Sequence, residues 1–330
     1  MGKKIFRYFI YAISGIALIA VLAISYLFLA FPNVNAAPAL TVTPTPERIE
    51  RGKYLANHVS GCIDCHSIRD FKKFLGPLVI DTEGKGGEIF PEEFGVPGTL
   101  YSKNITPAVI GTMTDGELFR AITSGVRKNG DPLFPLMPYP NFNKMSEEDL
   151  YSIIAYIRTL KPIENHVQDS HIKFPMNLII RTVPQNYTKQ SAPDTSDIFA
   201  YGKYMITIAS CGECHTQQVK GNPVEGMEFA GGFEFKTPMG MIRSANITPD
   251  EETGIGTWTK EQFIARFKMY ATPEASNINQ DTMKYATLMP WTFFAGMTEK
   301  DLGAIYTHLI TLKPVHHKVT RFEPPEASSK

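Results

Sequence analysis

Two stretches of this chain carry the same signposts in the same order, so its soluble part reads as one unit built twice. Gly52-Lys53-Tyr54 precedes Cys62, Cys65 and His66, and Gly202-Lys203-Tyr204 precedes Cys211, Cys214 and His215. Asn104-Ile105-Thr106-Pro107 returns as Asn246-Ile247-Thr248-Pro249, and Leu136-Met137-Pro138-Tyr139 returns as Leu288-Met289-Pro290-Trp291. Each copy closes on an apolar stripe at i, i+3, i+7 spacing, the buried face of an amphipathic helix. The stripes are Leu150, Ile153, Ile157 and Leu160, then Leu302, Ile305, Leu309 and Leu312. Lys161-Pro162 and Lys313-Pro314 stop these helices, because proline cannot continue them.

Helical periods dominate both copies and strand alternation is scarce, which predicts a mainly α fold with long loops. A length of 330 residues suits two domains at about 150 residues each. The expected boundaries are 1–46 for an N-terminal anchor and spacer, 47–162 for the first domain, 163–196 for a linker and 197–330 for the second domain with its C-terminal tail. Within the linker, Met176–Val183 is apolar and should pack along a domain surface.

From Phe9 to Phe31 the chain is almost wholly apolar, long enough to cross a hydrocarbon core of about 30 Å as a single transmembrane helix. Lys3, Lys4 and Arg7 precede that run and no acidic residue does, so the N-terminus should stay cytoplasmic and the remainder be translocated. The competing reading is a signal peptide cut near Val34-Asn35-Ala36, but the apolar run exceeds the about 7–15 residues usual for a signal. The stretch from Pro32 to Pro46 reads as a spacer off the membrane surface. Lys and Arg together number 33 and so do Asp and Glu. That balance gives no basic field to hold nucleic acid.

The chain has 4 cysteines, all within the two Cys-x-x-Cys-His runs. On a helix, Cys62 and Cys65 share a face with His66, as Cys211 and Cys214 do with His215. Two thiols can then form thioethers to one porphyrin while the imidazole reaches its iron, the c-type haem attachment pattern. A shared four-cysteine zinc site would require each pair to leave its own copy and would leave the histidines unexplained. A thiol–disulfide motif would need a βαβ setting, which the pattern lacks. The expectation is two covalently bound haem c groups, one per copy.

Haem iron also takes a sixth ligand, and thioether sulfur suits it. Of 13 methionines, those at repeated positions compete. Met113 precedes a capping box, Thr114 with Glu117, and should staple to Leu118; the second copy has Trp258 there, which cannot ligate iron. Met145 and Met297 precede the caps Ser146 and Thr298 and should staple to Leu150 and Leu302. Met137 and Met289 have no such duty and sit in loops before Pro138 and Pro290, so they are the expected axial ligands. His58, His166, His171, His308, His316 and His317 lack repeated partners and read as surface or packing residues. Two readings stay open for Asn104 and Asn246: with Ser102, Ser244 and Arg243 they line a haem propionate, or they build a turn.

These motifs resemble the multihaem cytochrome c family that includes the cytochrome subunits of membrane-bound alcohol and gluconate dehydrogenases. The likeness rests on Gly-Lys-Tyr before Cys-x-x-Cys-His, on Asn246–Trp258, on the Leu-Met-Pro-aromatic runs and on Glu147–Pro162, and covers most of residues 47–315. It implies two tandem cytochrome c-type domains with His/Met-ligated haem, carrying single electrons from a dehydrogenase or toward a terminal oxidase. The expected place is the periplasmic face of a bacterial cytoplasmic membrane, as a free carrier or a subunit of a respiratory complex. Members that serve as dehydrogenase subunits usually carry three haem motifs, and this chain carries two. The alternative is a di-haem cytochrome c peroxidase-like enzyme. That enzyme needs one open iron, whereas both copies here carry the same Met-Pro loop.

Overall fold

Helix α1 (Gly2–Ala30) is apolar after its first turns and largely exposed: the span Lys4–Ala30 has a mean hydropathy of 2.5, and its C-terminal end meets another element, the helix Met176–Ile179. It is long and apolar enough to cross a membrane. The computed structural model describes residues 2–219, 221–280, 283 and 285–325. The last part of the expected tail, 326–330, lies outside the described residues.

The first copy opens on α2 (Pro46–His58), capped by the Thr45 hydroxyl, which accepts from the Arg48 N–H at 3.3 Å. Next come α3 (Cys62–Cys65), α4 (Pro107–Ile110), α5 (Asp115–Ser124), α6 (Tyr139–Phe142) and α7 (Glu147–Ile157). A short connecting helix, α8 (Met176–Ile179), leads to the second copy. That copy holds α9 (Ile198–Ile208), α10 (Cys211–His215), α11 (Lys260–Lys268), α12 (Pro273–Ser276), α13 (Trp291–Phe294) and α14 (Glu299–Leu309). The expected capping boxes form at Thr114 with Glu117 and at Thr259 with Gln262, and Ser146 and Thr298 cap the closing helices α7 and α14.

The repeated Gly-Lys-Tyr run does two jobs. Its glycine lets the opening helix approach the closing helix of the same copy: a Cβ on Gly52 would overlap the Ser152 carbonyl, and one on Gly202 the Ala304 carbonyl. Its tyrosine reaches into the other copy. The Tyr54 hydroxyl donates to Asp301 and accepts from the Thr298 N–H at 3.1 Å. The Tyr204 hydroxyl donates to Asp149 and accepts from the Ser146 N–H at 3.2 Å. Each closing helix therefore has its N-terminus tied by the opposite copy. A single buried cluster runs through both copies, with Leu55, Met145 and Leu150 from one and Met205, Met297 and Leu302 from the other.

Helices cover about 40% of the chain, with long loops between them. The described strands are short and form a repeated device the alternation pattern did not reveal. Antiparallel β1 (Ile89–Phe90), β2 (Gly98–Tyr101) and β3 (His171–Ile172) make one sheet. A two-stranded pair, β4 (Gln218–Val219) and β5 (Asn222–Pro223), stands apart from β6 (Glu234–Thr237), β7 (Gly240–Arg243) and β8 (Phe322–Glu323), which repeat the first sheet. Strands of two to four residues are too short to show a period.

Neither connecting segment hangs free. The first part of 163–196 pairs with the first copy as β3, and α8, within the apolar run Met176–Val183, packs beside α1. The spacer from Pro32 to Pro46 is strapped down rather than extended into solvent. The Val42 side chain is buried, and its N–H donates to Asp115 at 2.8 Å. The Pro38 carbonyl lies against Gly116, and the Asn35 N–H donates to Asn186 at 2.7 Å. An extended Pro-rich chain has free backbone groups, and the first copy supplies partners for them.

Candidate functional site

In each copy the opening helix ends, one residue in the left-handed region turns the chain, and the cysteine motif forms the next turn. The turning residue is Gly61 (φ 69°) or Ser210 (φ 56°). Cys62 and Cys211 are half-buried, and Cys65 and Cys214 face open space. Enough protein surrounds each thiol to push its pKa up, to about 12 for Cys62, Cys65 and Cys211 and about 11 for Cys214. Reactive Cys-x-x-Cys pairs have lowered thiol pKa values, and the shift here runs in the opposite direction.

Both histidines are held alike. His66 Nδ1 donates to the Lys103 carbonyl at 2.6 Å, and His215 Nδ1 donates to the Ala245 carbonyl at 2.7 Å. A carbonyl can only accept, which puts the proton on Nδ1 and leaves Nε2 with its lone pair. Burial pushes both imidazoles toward the neutral form. A neutral imidazole with its other nitrogen bonded to a backbone carbonyl is the usual form of a metal-ligating histidine.

Sequence reasoning missed these two carbonyls. They immediately precede Asn104 and Asn246, whose side chains fix the loop. Asn104 Oδ1 accepts from the Thr106 N–H at 2.8 Å and hydroxyl at 2.7 Å, and its Nδ2 donates to the Ile163 carbonyl at 2.8 Å. Asn246 repeats this with Thr248 at 2.9 and 2.8 Å and with the Val315 carbonyl at 2.8 Å. These bonds carry the turn reading of the asparagines, and Arg243, Ser244 and Asn246 also border the cavity described below. Ser102 and Ser244 accept from the Glu88 and Phe233 amides at 3.1 and 3.0 Å, and Arg243 pairs with Glu234 at 2.8 Å. Gly86 and Gly231, both at positive φ, donate to the His66 and His215 carbonyls at 2.7 and 2.8 Å. The available signal was the double glycine, Gly86-Gly87 and Gly231-Gly232, present in each copy.

Asn246→Ala should cost about 1–3 kcal/mol, because it strips a buried carbonyl and the Thr248 groups of partners. Chemical denaturation of the full chain in detergent measures this.

Met137 and Met289 have matching backbones. Each is followed by a proline in an inverse γ-turn, Pro138 at φ −78°, ψ 52° and Pro290 at φ −78°, ψ 68°. The turn is closed by the Tyr139 N–H to the Met137 carbonyl at 2.7 Å and by the Trp291 N–H to the Met289 carbonyl at 2.8 Å. Both methionines are half-buried, whereas Met145 and Met297 are 0% and 1% exposed within the core.

A cavity of 1640 Å³ is bordered by Cys211, Cys214, His215 and Met289 of the second copy and by Cys65 of the first. Met297 reaches the same wall, though its enclosure leaves the sulfur little open space. Cys62, His66 and Met137 do not border this cavity. Its volume exceeds the about 300–1,000 Å³ of a single small-molecule site, so a porphyrin-sized group fits. The two motifs meet at this cavity, since Cys65 of one and Cys214 of the other both border it. Among the described residues, no group of three or more His, Cys, Asp or Glu side chains is arranged to hold a metal ion.

Around the Met137 loop, Arg120 Nε, Arg127 Nε and the Tyr139 hydroxyl are buried without hydrogen-bond partners. Buried donors without partners are costly, and an anionic edge of a bound group would satisfy them. His58 is a packing residue between copies, its Nδ1 meeting the Phe293 carbonyl at 3.1 Å, and His317 Nδ1 meets the Ala230 carbonyl at 3.0 Å.

No protein-family model matches the chain. It is 27% identical over 306 residues to the cytochrome c subunit of a quinone alcohol dehydrogenase from Gluconacetobacter polyoxogenes, covering 86% of this chain and 60% of that protein. It is 30% identical over 267 residues to the fructose dehydrogenase cytochrome subunit of Gluconobacter japonicus, covering 76% of this chain and 51% of that protein. A diheme cytochrome c-type protein of Cereibacter sphaeroides is 27% identical over 246 residues, with 72% and 78% covered. The chain thus spans between half and two thirds of the length of the two dehydrogenase subunits.

Proposed function

Because the chain is a homologue of the cytochrome c subunits of quinone alcohol, gluconate and fructose dehydrogenases and of a diheme cytochrome c, we propose that it is a two-haem electron carrier in two tandem cytochrome c-type domains, anchored by α1 with its soluble part on the periplasmic face of the cytoplasmic membrane. The observation that carries this reading is the duplicated Cys-x-x-Cys-His turn whose histidine is tied through Nδ1 to a backbone carbonyl in both copies. Bound haem supplies a one-electron couple at its iron. The protein contributes attachment through Cys62 and Cys65 in one copy and Cys211 and Cys214 in the other. His66 and His215 would supply Nε2 to the iron, and Met137 and Met289 would supply sulfur as the further ligand.

Both copies would then hold six-coordinate iron, which leaves no open position for substrate. The matching γ-turns at Pro138 and Pro290 favour two transferring sites over one catalytic and one transferring site. The partner is a membrane-bound dehydrogenase that passes single electrons to the exposed edge of one haem. The basic residues beside the apolar run, Lys3, Lys4 and Arg7, all lie on its N-terminal side, which supports export of everything after α1.

The test is the mass of the exported chain, produced with haem-maturation machinery. Two haem adducts are expected, Cys62→Ala with Cys65→Ala should remove one, and Cys211→Ala with Cys214→Ala the other. A wild-type chain with one adduct or none would refute the two-haem reading.

A further inference from the structure

The end of α1 is not a loose exit from the membrane. Arg181 donates to the Phe31 carbonyl at 3.1 and 2.8 Å, and its guanidinium lies 4.7 Å over the Phe28 ring. Helix α8 and the turn after it pack against α1. This segment therefore sits at the level of the last turn of α1, where the apolar run gives out.

The same segment carries exposed apolar side chains. Phe174 is 75% exposed and Ile179 is 47% exposed, with Pro175 exposed between them. Scattered exposed apolar residues are ordinary, so exposure alone decides nothing here. Position decides. These residues extend the apolar surface of α1, whose Phe28 and Leu29 are 53% and 88% exposed beside them. Aromatic residues concentrate at the two faces of a bilayer, and short apolar elements lie about 5–10 Å into the boundary between headgroups and acyl chains. Lys173 pairs with Glu92, and Arg181 lies 3.7 Å from Asp131, so the segment carries no unbalanced charge that would demand anionic lipid.

We propose that Phe174, Pro175 and Ile179, together with the last turn of α1, form a foot that inserts into the outer interfacial layer of the lipid bilayer. The proposal rests on the reading of α1 as an uncleaved membrane anchor. With α1 and the foot both engaged, and with residues 32–45 strapped to the first copy, the soluble part stands at a fixed tilt and height instead of swinging on a tether. Such a carrier serves a partner held in the same membrane.

The experiment uses the full chain in phosphatidylcholine vesicles containing lipids brominated either near the carbonyl or near the chain end. Phe174→Trp is compared with the wild type, whose Trp258 and Trp291 give the background, and Ile179→Trp is a second reporter if the first folds poorly. The introduced indole should be quenched more strongly by the shallow bromines than by the deep ones, to the same extent at high salt. A chain retained by the vesicles through an alkaline wash, with neither reporter quenched, would overturn the foot alone. A chain stripped off by that wash would overturn the anchor reading and the foot with it.

Discussion

Met289→Ala should remove about half of the far-red absorption band of the ferric protein, and Met137→Ala the other half, with one sulfur on each iron. The argument is steric before it is chemical. A sulfur that bonds iron must face space the prosthetic group can occupy. Met289 is half-buried on the wall of the 1640 Å³ cavity that Cys211, Cys214 and His215 also border. Met297 touches that wall but is only 1% exposed, and it immediately precedes the cap of α14, where the Thr298 hydroxyl accepts from the Asp301 N–H at 3.1 Å. Met145 is in the same position before α7 and is 0% exposed. Met145→Ala and Met297→Ala should therefore leave the band intact and instead cost about 2–5 kcal/mol, the penalty for emptying a filled core site. Loss of the band in either of these, with retention in Met137→Ala or Met289→Ala, would reverse the ligand assignment. Absorption spectra and denaturation curves of the same four variants separate the two outcomes.

What could be read from the sequence depended on whether the signal lay in side chains or in backbone. The caps at Thr114, Ser146, Thr259 and Thr298 were legible because a particular side chain bonds a particular amide three residues on. Helix α1 was legible because a long unbroken apolar run leaves little but a single helix to form. The carbonyls that orient His66 and His215 were not, because any residue type supplies a carbonyl; Lys103 stands in one copy and Ala245 in the other. The repeated asparagines beside them are visible in the sequence, but it is their bonds to the Ile163 and Val315 carbonyls that show them holding the loop. Likewise Gly-Lys-Tyr was visible as a repeat, but a repeat does not say whether Tyr204 bonds within its own copy or across to Asp149. The strapping of residues 32–45 was hidden for a related reason: Pro-rich composition reports stiffness and reach, and not which surface will take up the chain.

Gly202→Ala tests whether the two copies are thermodynamically one body. In an exposed helix this change would gain about 0.8–1.0 kcal/mol from helix propensity. Here the new Cβ would overlap the Ala304 carbonyl, and the nearest atoms are backbone, which cannot rotate aside. The helices α9 and α14 must part, at a cost of about 1–3 kcal/mol or more for overpacking, so the net change should be destabilising. The consequence should reach the other copy. Displacing α9 pulls Tyr204 from Asp149 and from the Ser146 N–H, which leaves a buried carboxylate at the start of α7 with only Arg51, at 2.8 Å, as partner. Since the buried cluster also runs unbroken from Leu55 to Leu302, heating the full chain in detergent should give one helix-melting transition, shifted down as a whole in Gly202→Ala. Gly52→Ala should do the same through α2, α7 and the Tyr54–Asp301 tie. Two separate transitions in either variant, with the unaltered copy melting at its wild-type temperature, would show that the repeats are independent domains and that the crossed tyrosines contribute little to joining them.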